Sequence, residues 1–120
     1  MTHRDIIAWR QSMALVEEIY QATQQFPRDE AFGLAAQIRG AALAVPGHLA
    51  DGAARGSPAA LVERLGMSCG SLAALDSHLE VAVRLGYLEP DARAVRSTRR
   101  LGFLMAVLHR ALAGESPARH

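Results

Sequence analysis

Cysteine occurs once in this sequence, at Cys69, and lysine not at all. A lone cysteine excludes an internal disulfide and suits a reducing compartment. Without lysine, all thirteen basic side chains are arginine. That bias reflects either a GC-rich genome or a use for guanidinium groups in bidentate contacts with phosphate or carboxylate. Aromatic residues are sparse, with one Trp, two Tyr and three Phe. A core must therefore be built from Ala, Leu, Val, Ile and Met, a composition that favours helices. No uncharged apolar run reaches the length of a membrane span. Met1-Thr2-His3-Arg4-Asp5 leads directly into an amphipathic pattern and lacks the apolar segment of a secretory signal. The expectation is a cytoplasmic protein without a membrane segment. Charge is nearly balanced at net +1, which neither demands nor excludes a polyanionic partner. The 120 residues are enough for a single domain (1–120) with its own core.

What is present is helical periodicity in four stretches. Ile6, Trp9, Met13, Val16, Tyr20 and Thr23 follow steps of three and four, flanked by a second stripe of Ser12, Leu15, Ile19, Ala22 and Phe26. Thr2 with Asp5 resembles a capping box. The pattern predicts a helix over about 5–25, stopped by Phe26-Pro27 because the residue before a proline is driven out of the helical region. A second helix follows over about 30–53, with Arg28 or Asp29 as its cap. A third, over about 58–85, starts at the Ser57 cap with Pro58 in its first turn and stops at Gly86. Leu61, Leu65, Ser68, Leu72, Leu75, Leu79 and Ala82 form its inward line. The fourth is expected over about 91–113, capped by Asp91, with Ala94, Thr98, Leu101, Met105, Leu108 and Leu112 inward and a frayed tail over 114–120. Four helices joined by short connections predict an all-α, antiparallel up-down-up-down four-helix bundle.

The second helix is the unusual one. Ala35, Ile38, Ala42, Val45 and Leu49 make an apolar stripe, and one residue round from it runs a polar one: Gln37, Ala41, Ala44, His48, Asp51 and Arg55. Pro46 removes a backbone donor in the middle and is expected to kink the helix. Small residues, among them Gly40, Gly47 and Ala50, let a neighbouring helix approach closely. Each helix carries two adjacent apolar stripes, more than a lone bundle needs, so self-association is expected. Trp9, Tyr20, Phe32 and Phe103 are the candidates for the surplus.

Trp9, Ile19-Tyr20, Phe26-Pro27, Glu30, Gly33-Leu34, Gln37-Ile38-Arg39, Ala41-Ala42, Val45-Pro46, Leu49-Ala50-Asp51-Gly52, Arg55, Gly70-Ser71-Leu72, Leu79 and Leu85-Gly86-Tyr87-Leu88 together resemble a family of small bacterial four-helix bundle proteins. That family includes the proteins encoded by intervening sequences inside 23S ribosomal RNA genes. The resemblance covers about residues 5–112. It implies a bundle that assembles into a ring-like homopentamer, similar in fold to the accessory variability protein of diversity-generating retroelements, which works with a reverse transcriptase and nucleic acid. The sequence departs from the family pattern at Gly40, Ala44, His48, Asp51 and Ala74, where Arg, Ser, Asn, Glu and Glu are usual, while Asp76 keeps an acid nearby. These changes thin the polar network of the second helix.

Three groups of residues invite a functional reading. Asp51 and Arg55 stand four apart on one helix face and can form an ion pair, with Arg39 about three turns earlier. Together with Gln37 and His48 they are read as a helix-register or subunit contact, an anion site, or, least favoured, a catalytic group. His48 and His78 would face each other if helices two and three pack side by side, but two histidines without a third ligand make a poor metal site. Cys69 and Ser71 find no histidine in reach and read as packing residues. No catalytic residue, metal or cofactor is assigned. On the fourth helix, Arg93, Arg96 and Arg100 share a face, with Arg99 beside them and Arg110 three turns on. Such a cluster is either a solvated face paired with acids such as Glu89 and Asp91, or a surface for phosphates. The leading expectation is a non-enzymatic homo-oligomer that binds structured RNA or DNA, or a nucleoprotein partner, through these arginines. The alternative is a ring-shaped scaffold that binds another protein and no nucleic acid.

Overall fold

A computed structural model describes residues 3–114 as α1 (His3–Thr23), α2 (Leu34–Ala54), α3 (Pro58–Arg84) and α4 (Arg93–Gly114), with a short 3-10 turn (Arg28–Glu30) before α2. No strand occurs among the described residues. The bundle measures 50 × 23 × 21 Å. Each helix packs on its sequence neighbours, and α4 closes the ring against α1; α2–α3 is the most extensive contact of the four and α1–α4 the least. Cross-helix pairs show that the neighbours run antiparallel. Arg39 near the start of α2 reaches Thr23 at the end of α1. Asp51 near the end of α2 reaches Arg64 near the start of α3, and Arg99 of α4 meets Asp76 of α3.

The inward lines predicted for α2, α3 and α4 are buried, apart from Leu61 and Leu112, which are half-buried. α1 departs from expectation. Its buried line is Asp5, Ala8, Ser12, Leu15, Ile19, Thr23 and Phe26, while Ile6 and Met13 are exposed and Trp9, Val16 and Tyr20 are half-buried. Both stripes obey the helical period. The choice between them rests on how well each fills the space left by three other helices, which one helix's spacing does not reveal. Three buried hydroxyls turn back on their own helix: Ser12 to the Trp9 carbonyl at 2.7 Å, Thr23 to Ile19 at 2.8 Å and Thr98 to Ala94 at 2.7 Å.

The helix ends follow local chemistry closely. Ser57 accepts a hydrogen bond from the Ala60 amide at 3.2 Å, as its N-cap role requires. Gly86 adopts φ +82°. The Tyr87 amide then donates to the Ala82 carbonyl at 2.9 Å and the Gly86 amide to Val83 at 3.0 Å, the paired bonds that close a helix on a left-handed residue. Three expectations are corrected. α2 begins at Leu34 rather than near residue 30, because the chain after Pro27 first makes the 3-10 turn; its N-cap is Gly33, not Arg28 or Asp29. Glu30 supplies the missing acceptor instead, its Oε1 receiving the Leu34 amide at 3.3 Å. α4 starts at Arg93, past the expected Asp91 cap, with its first backbone bonds running to the Ala92 carbonyl. α4 also includes Gly114, the first residue of the expected tail; the other tail residues, like the Thr2 cap, lie outside the described residues.

α2 runs unbroken through the buried Pro46. Just before it, Ser68 of α3 donates its hydroxyl to the Val45 carbonyl at 2.8 Å, fully buried. Beyond it, Gly52 packs so closely on α3 that an added Cβ would lie 2.9 Å from the Arg64 Cβ and 3.3 Å from the Leu61 Cα. At the opposite end of the bundle, Tyr87 donates to Glu30 Oε2 at 2.9 Å and its ring packs on Phe26 with centroids 5.4 Å apart. The connections after α1 and after α3 are thus clasped together.

Candidate nucleic-acid interface

The five arginines of α4 separate into two sets. Arg93 reaches across to α1 and pairs with Glu18 Oε1 at 3.1 Å. Arg99 reaches the other way, to Asp76 at 3.2 Å and Glu80 at 3.7 Å on α3. These acids, rather than Glu89 and Asp91, are the partners, because the side chains span to adjacent helices instead of folding back onto their own connection. Such exposed pairs contribute little to stability, roughly 0–1 kcal/mol each. Arg96, Arg100 and Arg110 are exposed and make no ion pair among the described residues. Seven residues of helix return to within about 20° of the starting direction. Arg96, Phe103 and Arg110 therefore form one line, and it lies opposite the buried Thr98, Leu101 and Met105. Phe103 is 71% exposed. Arg100 sits beside this line, toward α1, where it borders a cavity of about 200 Å³ with Gln11, Ala14, Glu18 and Ser97.

Adjoining that cavity, an apolar groove of about 370 Å³ runs between α1 and α4, lined by Ile7, Ala8, Leu101, Leu104 and Val107 among others. Of the aromatics expected to mediate self-association, Phe103 and Phe32 (98%) are exposed. Trp9 packs against the core, and Tyr20 lies beneath the Arg39 guanidinium, 4.5 Å from its ring centroid.

The polar stripe of α2 does not come together as one site. Asp51 and Arg55 pair at 3.1 Å, as their spacing predicted, with side chains 41% and 51% exposed. The partner that sequence reasoning missed is Arg64, whose Nε lies 3.2 Å from the other Asp51 oxygen. This group ties the α2–α3 turn. Arg39 belongs elsewhere: its Nε donates to Thr23 Oγ1 at 2.8 Å, linking α2 to α1. Gln37 is exposed and His48 half-buried. With Ser68 level with Val45 and Arg64 level with Asp51, the α2–α3 register puts His78 roughly 18 Å along the bundle from His48. The two do not face each other, and no group of three His, Cys, Asp or Glu among the described residues is arranged to hold a metal. Burial pushes the half-buried Cys69 thiol above its ordinary value, which disfavours the reactive thiolate.

A model of the 23S rRNA-intervening sequence proteins matches residues 4–99, from the first turn of α1 into α4. The chain belongs to this family. Its fold is also that of a protein of unknown function from the S23 ribosomal protein family of Bacteroides thetaiotaomicron, solved by crystallography. The two superpose with a TM-score of 0.79 at 13% identity, over 89% of this chain and 98% of the other. At that identity the likeness concerns the fold alone. No curated protein matches the chain. No helix among the described residues is long and apolar enough to cross a membrane. The family match ends at residue 99, so Arg100, Phe103 and Arg110 lie beyond it.

Proposed function

We propose that this protein is a non-enzymatic, oligomeric helical bundle that binds structured RNA or DNA, alone or in a nucleoprotein, through the outer face of α4. The observation that supports the reading is the exposure of Arg96, Arg100 and Arg110 without an acid partner among the described residues, while Arg93 and Arg99 are committed to neighbouring helices. Guanidinium groups with no ion pair to break are free to displace counterions from a phosphate backbone. Assembly into a ring-like homopentamer, which the family resemblance implies, would repeat the face five times and raise its field. The setting we propose is cytoplasmic, in keeping with a lone thiol.

The test is fluorescence anisotropy with labelled structured RNA and duplex DNA at two salt concentrations. Affinity should fall steeply with salt and be lost in the variant carrying Arg96→Ala and Arg100→Ala; binding that ignores salt would refute the mechanism. A second reading, a ring-shaped scaffold for another protein, draws on the apolar α1–α4 groove and the exposed Phe32. It gains if no nucleic acid binds at low salt. Oligomerisation is tested separately: a sedimentation mass equal to the monomer at micromolar concentration would remove the ring from both readings.

A further inference from the structure

The outer line of α4 carries more than charge. Arg96, Phe103 and Arg110 stand seven residues apart, so along the helix an aromatic ring is held about 10 Å from a guanidinium on either side. Arg100 fills the turn between the first two. Phe103 points away from the core, with most of its ring in water, and the Gly102 position beside it would have nothing within 4 Å of an added Cβ. Phe103 thus stands in water between arginines that make no ion pair among the described residues, with the exposed Leu104 and Val107 beside it.

We infer that α4 is a platform for single-stranded nucleic acid, with an unstacked base lying on Phe103 and the flanking phosphates held by Arg96, Arg100 and Arg110. This rests on the nucleic-acid reading above and narrows it. Duplex bases are already stacked and leave no face for the ring, whereas every base of a single strand offers one, so the contact tolerates any sequence. The outer line of α4 is a single row of side chains and not a pair of rows facing two strands. Its arginines, spread over about 21 Å from Arg96 to Arg110, follow a single backbone instead. The lack of any motif for reading base edges is consistent with recognition by stacking and charge.

The experiment compares a labelled oligothymidylate strand with a blunt duplex of equal length, at the same salt, for the wild type and for Phe103→Ala, Phe103→Tyr, and Arg96→Ala combined with Arg110→Ala. The wild type should prefer the single strand. Phe103→Ala should weaken single-strand binding about tenfold and leave duplex binding unchanged, and Phe103→Tyr should restore it. The arginine variant should weaken both and lower the salt slope by about two. Phe103 is exposed, so its variants should keep the helical circular dichroism of the wild type. If Phe103→Ala binds the strand as tightly as wild type while the arginine variant does not, the stacking platform is wrong and the electrostatic reading stands. If neither nucleic acid binds at low salt, both fall. If Phe103→Ala instead changes the sedimentation mass, the ring is a subunit contact and the platform is overturned.

Discussion

The two seams that α2 shares with α3 and α4 shares with α1 are built on opposite principles. The α2–α3 seam is closed: Gly52 lets Arg64 approach to a distance no side chain would allow, and Ser68 reaches the Val45 carbonyl in a fully buried bond. The α1–α4 seam is open, with a groove of about 370 Å³ and with Ile7, Leu104 and Val107 all more than a third exposed. Both seams contain small residues, so smallness alone does not seal an interface. Gly40 and Gly47, expected to admit a neighbouring helix, are exposed instead, and an added Cβ at either would meet nothing within 4 Å. A small residue closes a seam only where the facing residues come down onto it. The consequence for function is a division of labour, one half of the bundle holding its shape and the other presenting apolar and arginine-rich surface.

The comparison is broken most directly at Gly52. Gly52→Val should destabilise the protein by about 2–3 kcal/mol through overpacking against Arg64 and Leu61, read from the denaturant midpoint at fixed protein concentration. Gly47→Ala on the same helix should instead stabilise it by up to about 1 kcal/mol. Equal losses at both positions would show that α2 glycines matter for the helix and not for the seam. Next in size, Ser68→Ala should cost about 1 kcal/mol, the usual net worth of one buried hydrogen bond. On the open side, Ala111→Leu adds bulk to the groove wall and should stabilise by about 0.5 kcal/mol. A loss there of the size seen for Gly52→Val would mean the groove is not free space.

The smallest effect concerns the clasp that joins the ends of both halves. The Tyr87 phenol is held above its ordinary range, near 10, because it donates to the Glu30 carboxylate and its ionisation would place two anions together. A raised folded-state value stabilises the fold below pH 10, and that contribution is lost as pH climbs through the folded value. Spectrophotometric titration should show one tyrosine ionising late. Glu30→Gln should bring it back toward the ordinary phenol range, and Tyr87→Phe should flatten the alkaline fall in stability. A late tyrosine that persists in Glu30→Gln would assign the shift to burial instead.

Much of the fold was legible along the chain because its determinants are local. Ser57 with Pro58 and Gly86 mark helix ends by backbone chemistry that needs no partner. The inward lines of α2, α3 and α4 follow from period alone. At the candidate site the arginines of α4 and the Asp51–Arg55 pair were legible for the same reason, as neighbours on one helical face. Missed were the contacts that cross between helices: Arg64 on Asp51, Arg39 on Thr23 and Tyr20, and Tyr87 on Glu30 across 57 residues. Nothing in the spacing within one helix states the register of the next.

The sequence by itself therefore determined that this chain forms four amphipathic helices with short connections, and that its arginines gather on the last of them. Only the tertiary structure decided which of α1's two stripes faces inward, that His48 and His78 stand far apart, and which arginines are consumed by Glu18, Asp76 and Glu80. The physical reason is the range of the forces involved. Helical period, capping and turn chemistry act within a few residues. Packing and ion pairing depend on the relative rotation and height of whole helices, which all four settle together.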